Sequence, residues 1–571
     1  MNDHGMVGWQ HATQSPEYGA YMRRAERLQR RSAKEFSRAL DRAKQAAASG
    51  RPELAVGWCH YAASAAWFVN PGFVYCQEME QLLAEIGRKV LKPAPALRPS
   101  AEAPRRFLHV VSTAAQKGGD TRALACWIEN CAQHAPLEHH SILISMQGNE
   151  PLPAWLRDTT EGAGGEFVQF PTGMPWLQMA TEIRSRAWEF DVVVLHTHPN
   201  DPLPNLAFHD QPMPVLYFDN GDQQFILGMD VAQVVTEGLE LDFALRYRSP
   251  RPKKLLLPLP LLDEEQALCS QAEAREKLGL PADALIALTI GEAYKFESIY
   301  GFSFAPLVQS LCAENSRLLV VAVGISKSEP FPELSEQTGG RFMPVGRVTE
   351  RGILELYYRA ADVYLDSYPT GSLTAAIDAG RHGLPVQRLA IPNQTFLLSN
   401  DPALDSVMRG VPTPEEFVAG VLEWLNWPEE KRLELGGRFR AAVLRDHCGA
   451  SWKLNWLDPA VKALQAPIDE PSASSRQRTD GDENPLLKLA GGEYSAGWPT
   501  GMLVAWSALY GPLPLRIRLS GVLRSIKPLL FDADRNFRKR LLMFTWLMAK
   551  CLPRPIHSSA RAIYHRAFKK V

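Results

Sequence analysis

Residues 362–386 read DVYLDSYPTGSLTAAIDAGRHGLPV. The apolar run at Val363, Tyr364 and Leu365 has the composition of a buried strand, and Pro369, Thr370, Gly371 and Ser372 end it in a turn. Small helix-forming residues begin near Leu373–Thr374, and Gly383 and Pro385 stop them before a second apolar strand. Strand, turn, helix and strand in so short a span predict one βαβ unit of a parallel sheet. Helix N-termini carry unpaired N–H groups and a partial positive charge, so this turn suits a diphosphate. Gly371 lets oxygens approach the backbone, while Ser372 and Thr374 add hydroxyl donors. Asp378, one turn further, can accept from ribose hydroxyls, as acidic residues do in other open-sheet nucleotide sites. A plain strand–turn–helix with Ser372 as its N-cap explains the same residues equally well.

Working outward, further strand-like runs surround this unit: ALIALTIG (284–291), RLLVVAVG (317–324), RFMPVG (341–346) and PVQRL (385–389). The helical stretch ERGILELYYRAA (350–361) lies among them. Before it comes an equivalent series, FLHVVST (107–113), SILIS (141–145), DVVVLHT (191–197), PVLYF (214–218) and QVVTE (233–237). KKLLLPLPLL (253–262), with two prolines, reads as a crossing between domains. The expected fold class is α/β with two Rossmann-like domains, 107–252 and 253–465, a layout shared with two-domain dehydrogenases and periplasmic-type binding proteins. Residues 1–91 form an N-terminal helical region resembling a tetratricopeptide-like pair without a repeated copy. Linkers are expected at 92–106 and 466–490, and a basic helical C-terminal extension at 491–571.

At 571 residues the chain needs several cores, and 46% hydrophobic with 22% charged residues is ordinary globular composition. The net charge of −1 conceals an asymmetry: 496–571 carries roughly +12, which leaves about −13 on the rest. Within that tail LLMFTWLMA is bracketed by Arg538-Lys539-Arg540 and Lys550, the pattern of an interfacial helix on an anionic membrane surface. Docking onto the acidic body is the rival reading, and no aromatic–basic motif for nucleic acid accompanies the charges. Asp532-Ala533-Asp534 spells an Asp-x-Asp metal motif, but in a basic helical tail it reads as chance or as a helix cap. Eight cysteines form no CxxC pair and read as buried, reduced thiols. Without a signal peptide or a run of about 20 apolar residues, the expected location is cytoplasmic, peripheral at the inner face of the membrane.

Residues 362–386 resemble the donor-site signature of GT-B glycosyltransferases, closest in form to the O-GlcNAc transferases and related bacterial enzymes. Asp366, Gly371, Thr374, Asp378, Gly383 and Pro385 match that pattern, whereas Leu373 stands where the group often has Thr. Thr370 and Asp378 occupy the positions of the Glu pair of the large retaining group, so an inverting reaction is expected. The resemblance also implies that Lys295, following Gly291 in IGEAYKFES (290–298), neutralises the leaving diphosphate, and Gly346-Arg347 in PVGRV matches another turn of the family, with Arg347 as a donor-binding residue. No metal and no cofactor are expected beyond a nucleotide diphosphate sugar as co-substrate. AAQKGGDTRA (114–123) resembles the N-terminal loop that reaches across the cleft, with Gly118, Gly119 and Asp120 as the residues carried over. DNGDQQFILG (219–228) resembles a transferase motif whose two histidines are here Asn220 and Gln223, leaving Asp222 or His198 of HTHPND (196–201) as the base. Expected partners are a nucleotide-sugar donor and a glycan or lipid-linked acceptor. The alternatives are a protein acceptor, or a degenerate scaffold or sugar-nucleotide sensor.

Overall fold

The computed structural model describes residues 16–465, apart from 69, 94–104, 117–118, 149, 211–212, 220–224, 238–251, 263–268, 297–302, 327–330, 349, 390–409 and 412. Asp222, Gly118 and the basic extension therefore lie outside the described residues.

Two parallel sheets are present. The first comprises β1 (Arg106–Val111), β2 (His139–Ile144), β3 (Phe167–Gln169), β4 (Val192–His196), β5 (Val215–Asp219), β6 (Val234–Glu237) and β7 (Lys253–Leu256), in spatial order 3-2-1-4-5-6-7. The second comprises β8 (Leu285–Ile290), β9 (Leu318–Val323), β10 (Phe342–Gly346), β11 (Val363–Leu365) and β12 (Val386–Gln387), in order 10-9-8-11-12. Both orders reverse at their first strand, which makes each sheet Rossmann-like and opens a crevice at β1/β4 and at β8/β11. The expected α/β class with two Rossmann-like domains, the GT-B layout, is what the chain adopts.

Two expectations about boundaries change. Lys253–Leu256 is not part of a crossing but the edge strand of the first sheet, paired in parallel with β6 from Val234↔Lys253 to Glu237↔Leu256. The prolines that suggested a linker, Pro258 and Pro260, lie just beyond it, where no ladder bond is lost. The N-terminal helices α1 (Pro16–Ala48), α2 (Pro52–Phe68) and α3 (Gln77–Val90) are also not a separate body. One apolar core runs from Phe36, Tyr61 and Leu83 through Trp176 to Val193 and Val235.

A second core joins the two sheets. It contains Phe107 and Trp127 of the first domain, Tyr364 and Val386 of the second, and Phe439 and Trp452 of the returning C-terminal helices. Those helices grip the crossing: Leu261 N–H donates to His447 O (2.7 Å) and Trp452 Nε1–H to Pro258 O (2.7 Å). Of the described helices, none is long and apolar enough to cross a membrane.

Candidate functional site

The loop after β11 is built around a buried carboxylate. Asp366 Oδ1 accepts from the amides of Ser367 (2.9 Å) and Ser372 (2.8 Å), and Oδ2 accepts from Arg388 Nε (3.0 Å). Its oxygens are thus engaged by the protein, and the residue shapes the turn from beneath. Ser367 Oγ donates to Thr370 O at 2.7 Å, closing the same turn. Ser372 is the N-cap of a helix spanning Leu373–Arg381, yet its side chain makes no capping hydrogen bond. The first intrahelical bond runs from Ala376 N–H to Ser372 O, so the amides of Leu373, Thr374 and Ala375 precede the ladder.

Lys295 meets this loop from β8. Thr370 N–H donates to Lys295 O (3.1 Å), and Lys295 Nζ donates to Gly371 O (3.1 Å). Gly291, at the end of β8, lies beneath both: a Cβ there would stand 2.9 Å from the Phe296 ring and 3.3 Å from Ser372 Oγ. Arg347, after β10, is exposed and pairs with Glu292, the residue following Gly291. Lys295, Gly291 and Ser372 therefore gather at the β8/β11 crevice, with Arg347 on its rim.

Asp378 behaves differently from its expectation as a ribose acceptor. It is buried, both oxygens are taken by the Arg122 guanidinium of the first domain, and Arg381 Nε lies 3.5 Å away. Burial pushes its carboxyl up, but Arg122 and Arg381 outweigh that and hold it below the ordinary carboxylate range. Arg122 belongs to helix α4 (Gly119–His134), which begins in the glycine turn. That turn does reach across: a Cβ on Gly119 would stand 3.2 Å from Thr374 Cγ2. Asp120 is exposed in the first turn of α4, where a carboxylate favours the helix dipole.

On the first domain, His198 follows β4. Its backbone N–H donates to Ser112 Oγ (2.8 Å), which itself donates to Asp201 Oδ2 (2.6 Å). Burial raises the Asp201 carboxyl to about 6. The imidazole Nε2 lies 3.0 Å from Thr113 Oγ1, and the Trp67 ring of α2 packs 5.5 Å away. Loss of solvent lowers its pKa to about 4, so the ring is neutral at physiological pH. His196 points elsewhere: Nε2 is 2.9 Å from His109 Nδ1, beneath the sheet among Trp127 and Phe218. Arg122, Thr113 and Trp67 were not identified from sequence, since each acts across elements far apart in the chain.

No family model matches the sequence, and no curated protein matches it. Among solved structures it is similar to a mutant O-GlcNAc transferase of Thermobaculum terrenum, at 16% identity and TM-score 0.46, covering 81% of this chain and 90% of that one. It is also similar to Anabaena HepE in complex with UDP and glucose (12% identity, TM-score 0.44, 61% and 97% covered). A glycosyltransferase from Rickettsia africae gives 12% identity and TM-score 0.47, with 64% and 100% covered. The fold itself rests on the two strand orders.

Proposed function

We propose that the chain is a glycosyltransferase that moves a sugar from a nucleotide diphosphate sugar to a glycan or lipid-linked acceptor of cell-surface polysaccharide synthesis. The observation that carries this reading is the meeting of Lys295 with the start of the 373–381 helix at a strand-order switch point, Nζ to Gly371 O being 3.1 Å. A diphosphate placed there faces the amides of Leu373, Thr374 and Ala375, the Ser372 hydroxyl and the Lys295 cation. Leaving-group charge then develops against a helix dipole and an ammonium, and the donor site needs no metal. His198, neutral and fixed by Ser112, takes the proton of the acceptor hydroxyl, and inversion follows from attack opposite the diphosphate. The Arg122–Asp378 pair holds the glycine-turn helix of the first domain to the donor helix. The basic extension is assigned to an anionic membrane surface at the cytoplasmic face. A protein acceptor is the second reading, favoured by the contribution of Trp67, from the N-terminal helices, to the surroundings of His198.

Nucleoside diphosphate release from a panel of nucleotide sugars tests the reading. Wild type should release it, and Lys295→Ala should lose at least about 100-fold in kcat. Calorimetric binding of a nucleotide without turnover by any donor would leave the sensor reading instead. Absence of nucleotide binding would remove the donor site altogether.

A further inference from the structure

At the opposite edge of the first sheet, where its strands begin, three side chains from neighbouring elements converge. Cys131 lies in the last turn of α4, Glu138 in the turn that follows, and His140 in β2. One ligand atom from each, a thiol sulfur, a carboxylate oxygen and an imidazole nitrogen, lies within 4.8 Å of the other two. Cys131 is fully buried and His140 is 2% exposed. Two atoms are left over: His140 Nε2 and Glu138 Oε2 are 3.5 Å apart, buried, and without a hydrogen-bond partner. Leaving such atoms unmatched costs free energy, so their convergence on one point calls for something between them.

We propose that Cys131, Glu138 and His140 bind a structural divalent metal ion, zinc by the softness of the ligand set. Thiolate and imidazole select against magnesium and calcium, which take oxygen ligands, and zinc accepts the carboxylate as a third ligand. Zinc bonds of about 2.0–2.3 Å place tetrahedral ligands roughly 3.3–3.8 Å apart, so ligand atoms within 4.8 Å of one another close by about 1 Å on binding. The surroundings are already those of a ligand set. His140 Nδ1 is 2.9 Å from His109 Nε2, and the Phe107 ring stacks on the imidazole at 4.6 Å and 5°, which fixes its direction. Glu138 Oε1 is held by Lys453 Nζ at 2.9 Å, leaving Oε2 for the ion. Charges balance, because thiolate and Glu138 match the dication while Lys453 also pairs with Asp458. Lys453 opens the π turn Lys453–Leu457 that brings the C-terminal helices back to the first domain. Through Glu138 and Lys453 the ion ties that return to α4 and β2. This site is independent of the donor cleft and of the reaction proposed for it.

The test uses the full chain, stripped with chelator, dialysed, and loaded with zinc or with cobalt as a spectroscopic probe. Wild type should retain about one equivalent after gel filtration. Its zinc X-ray absorption should show one sulfur among nitrogen and oxygen neighbours, and its cobalt form a thiolate charge-transfer band. Cys131→Ser should lose the band, His140→Gln should weaken zinc at least about 100-fold, and Cys312→Ser, in the second domain, should keep both. Wild type that retains no metal overturns the proposal, as does a zinc shell without sulfur or a cobalt band unchanged in Cys131→Ser. Should the variants fail to fold, the wild-type stoichiometry and absorption shell decide the matter alone.

Discussion

His198 sits where an acceptor hydroxyl would have to lose its proton, and its surroundings set how it can do so. A base works in its unprotonated form, and desolvation beside Trp67 and Thr113 lowers this imidazole to about 4. Activity that depends on neutral His198 is therefore present above that value and lost only as pH falls through it. The profile of kcat/KM should stay level from pH 7 down to about 5, with no inflection at the ordinary histidine value of about 6.5. His198→Gln should lower kcat by roughly 100-fold or more while KM changes little. An acid limb at 6.5, or a variant that turns over normally, would remove His198 from the chemistry. The residue was legible because it follows an apolar strand at the edge where open-sheet sites lie. What the pattern HTHPND could not say is that His196, two residues earlier, is committed to His109 beneath the sheet. Alternation along a strand would put residues two apart on one face; the two diverge because β4 ends at His196 and His198 lies in the loop beyond it.

At the scale of elements, the donor helix is positioned from behind by glycine contacts. A Cβ on Gly436, within the helix Glu429–His447, would stand 1.8 Å from Gly383 O, and one on Gly380 would stand 2.9 Å from Val443 Cγ2. The helix Glu429–His447 meets backbone to backbone the turn that ends the donor helix, so Gly436→Ala must push the two apart. It should cost at least about 2 kcal/mol in urea unfolding and weaken nucleotide binding, because the helix N-terminus moves with the shift. The adjacent Gly437 has nothing within 4 Å of its Cβ position. Gly437→Ala should therefore stabilise the helix by roughly 0.5–1 kcal/mol. Equal effects at the two positions would contradict the packing. Most elements were readable from period and punctuation, as the match between VYL in the opening stretch and β11 illustrates. Phe167–Gln169 was missed because three residues carry no measurable alternation, and β7 was misread because its prolines follow so closely. Asp378 shows the remaining limit: the spacing that put it on the donor helix was right, but its partner Arg122 comes from 256 residues away.

Across the whole molecule, the N-terminal helices share one core with the first domain, and two buried ionisable groups make that union depend on pH in opposite senses. His60 of α2 places Nδ1 2.9 Å from Asn200 O and packs against Trp176. Burial lowers its pKa to about 4, against an unfolded value near 6.5. Its contribution is fully present above pH 6.5 and is lost as pH falls through 4, a span worth roughly 3 kcal/mol. Glu80 of α3 is the reverse case. Its oxygens accept from Gly228 N (2.8 Å), Asp230 N (3.2 Å) and Asn205 Nδ2 (2.5 Å), yet burial, with the nearby Asp230 charge, raises its pKa to about 8. A raised carboxyl gives stability that is present below about 4.5 and declines as pH rises toward 8. Between pH 4.5 and 6.5 the two effects oppose and nearly cancel, so urea unfolding across pH 4.5–8.5 should be level there and lose stability from about pH 6.5 to 8. His60→Gln should make stability fall steadily from pH 4.5 to 8, and Glu80→Gln should make it rise from pH 4.5 to 6.5 and stay level above, since each substitution keeps hydrogen-bonding capacity while removing one titration. Slopes that both variants share with wild type would mean that the helices detach from the first domain without exposing either group, and the common core would then have to be redrawn.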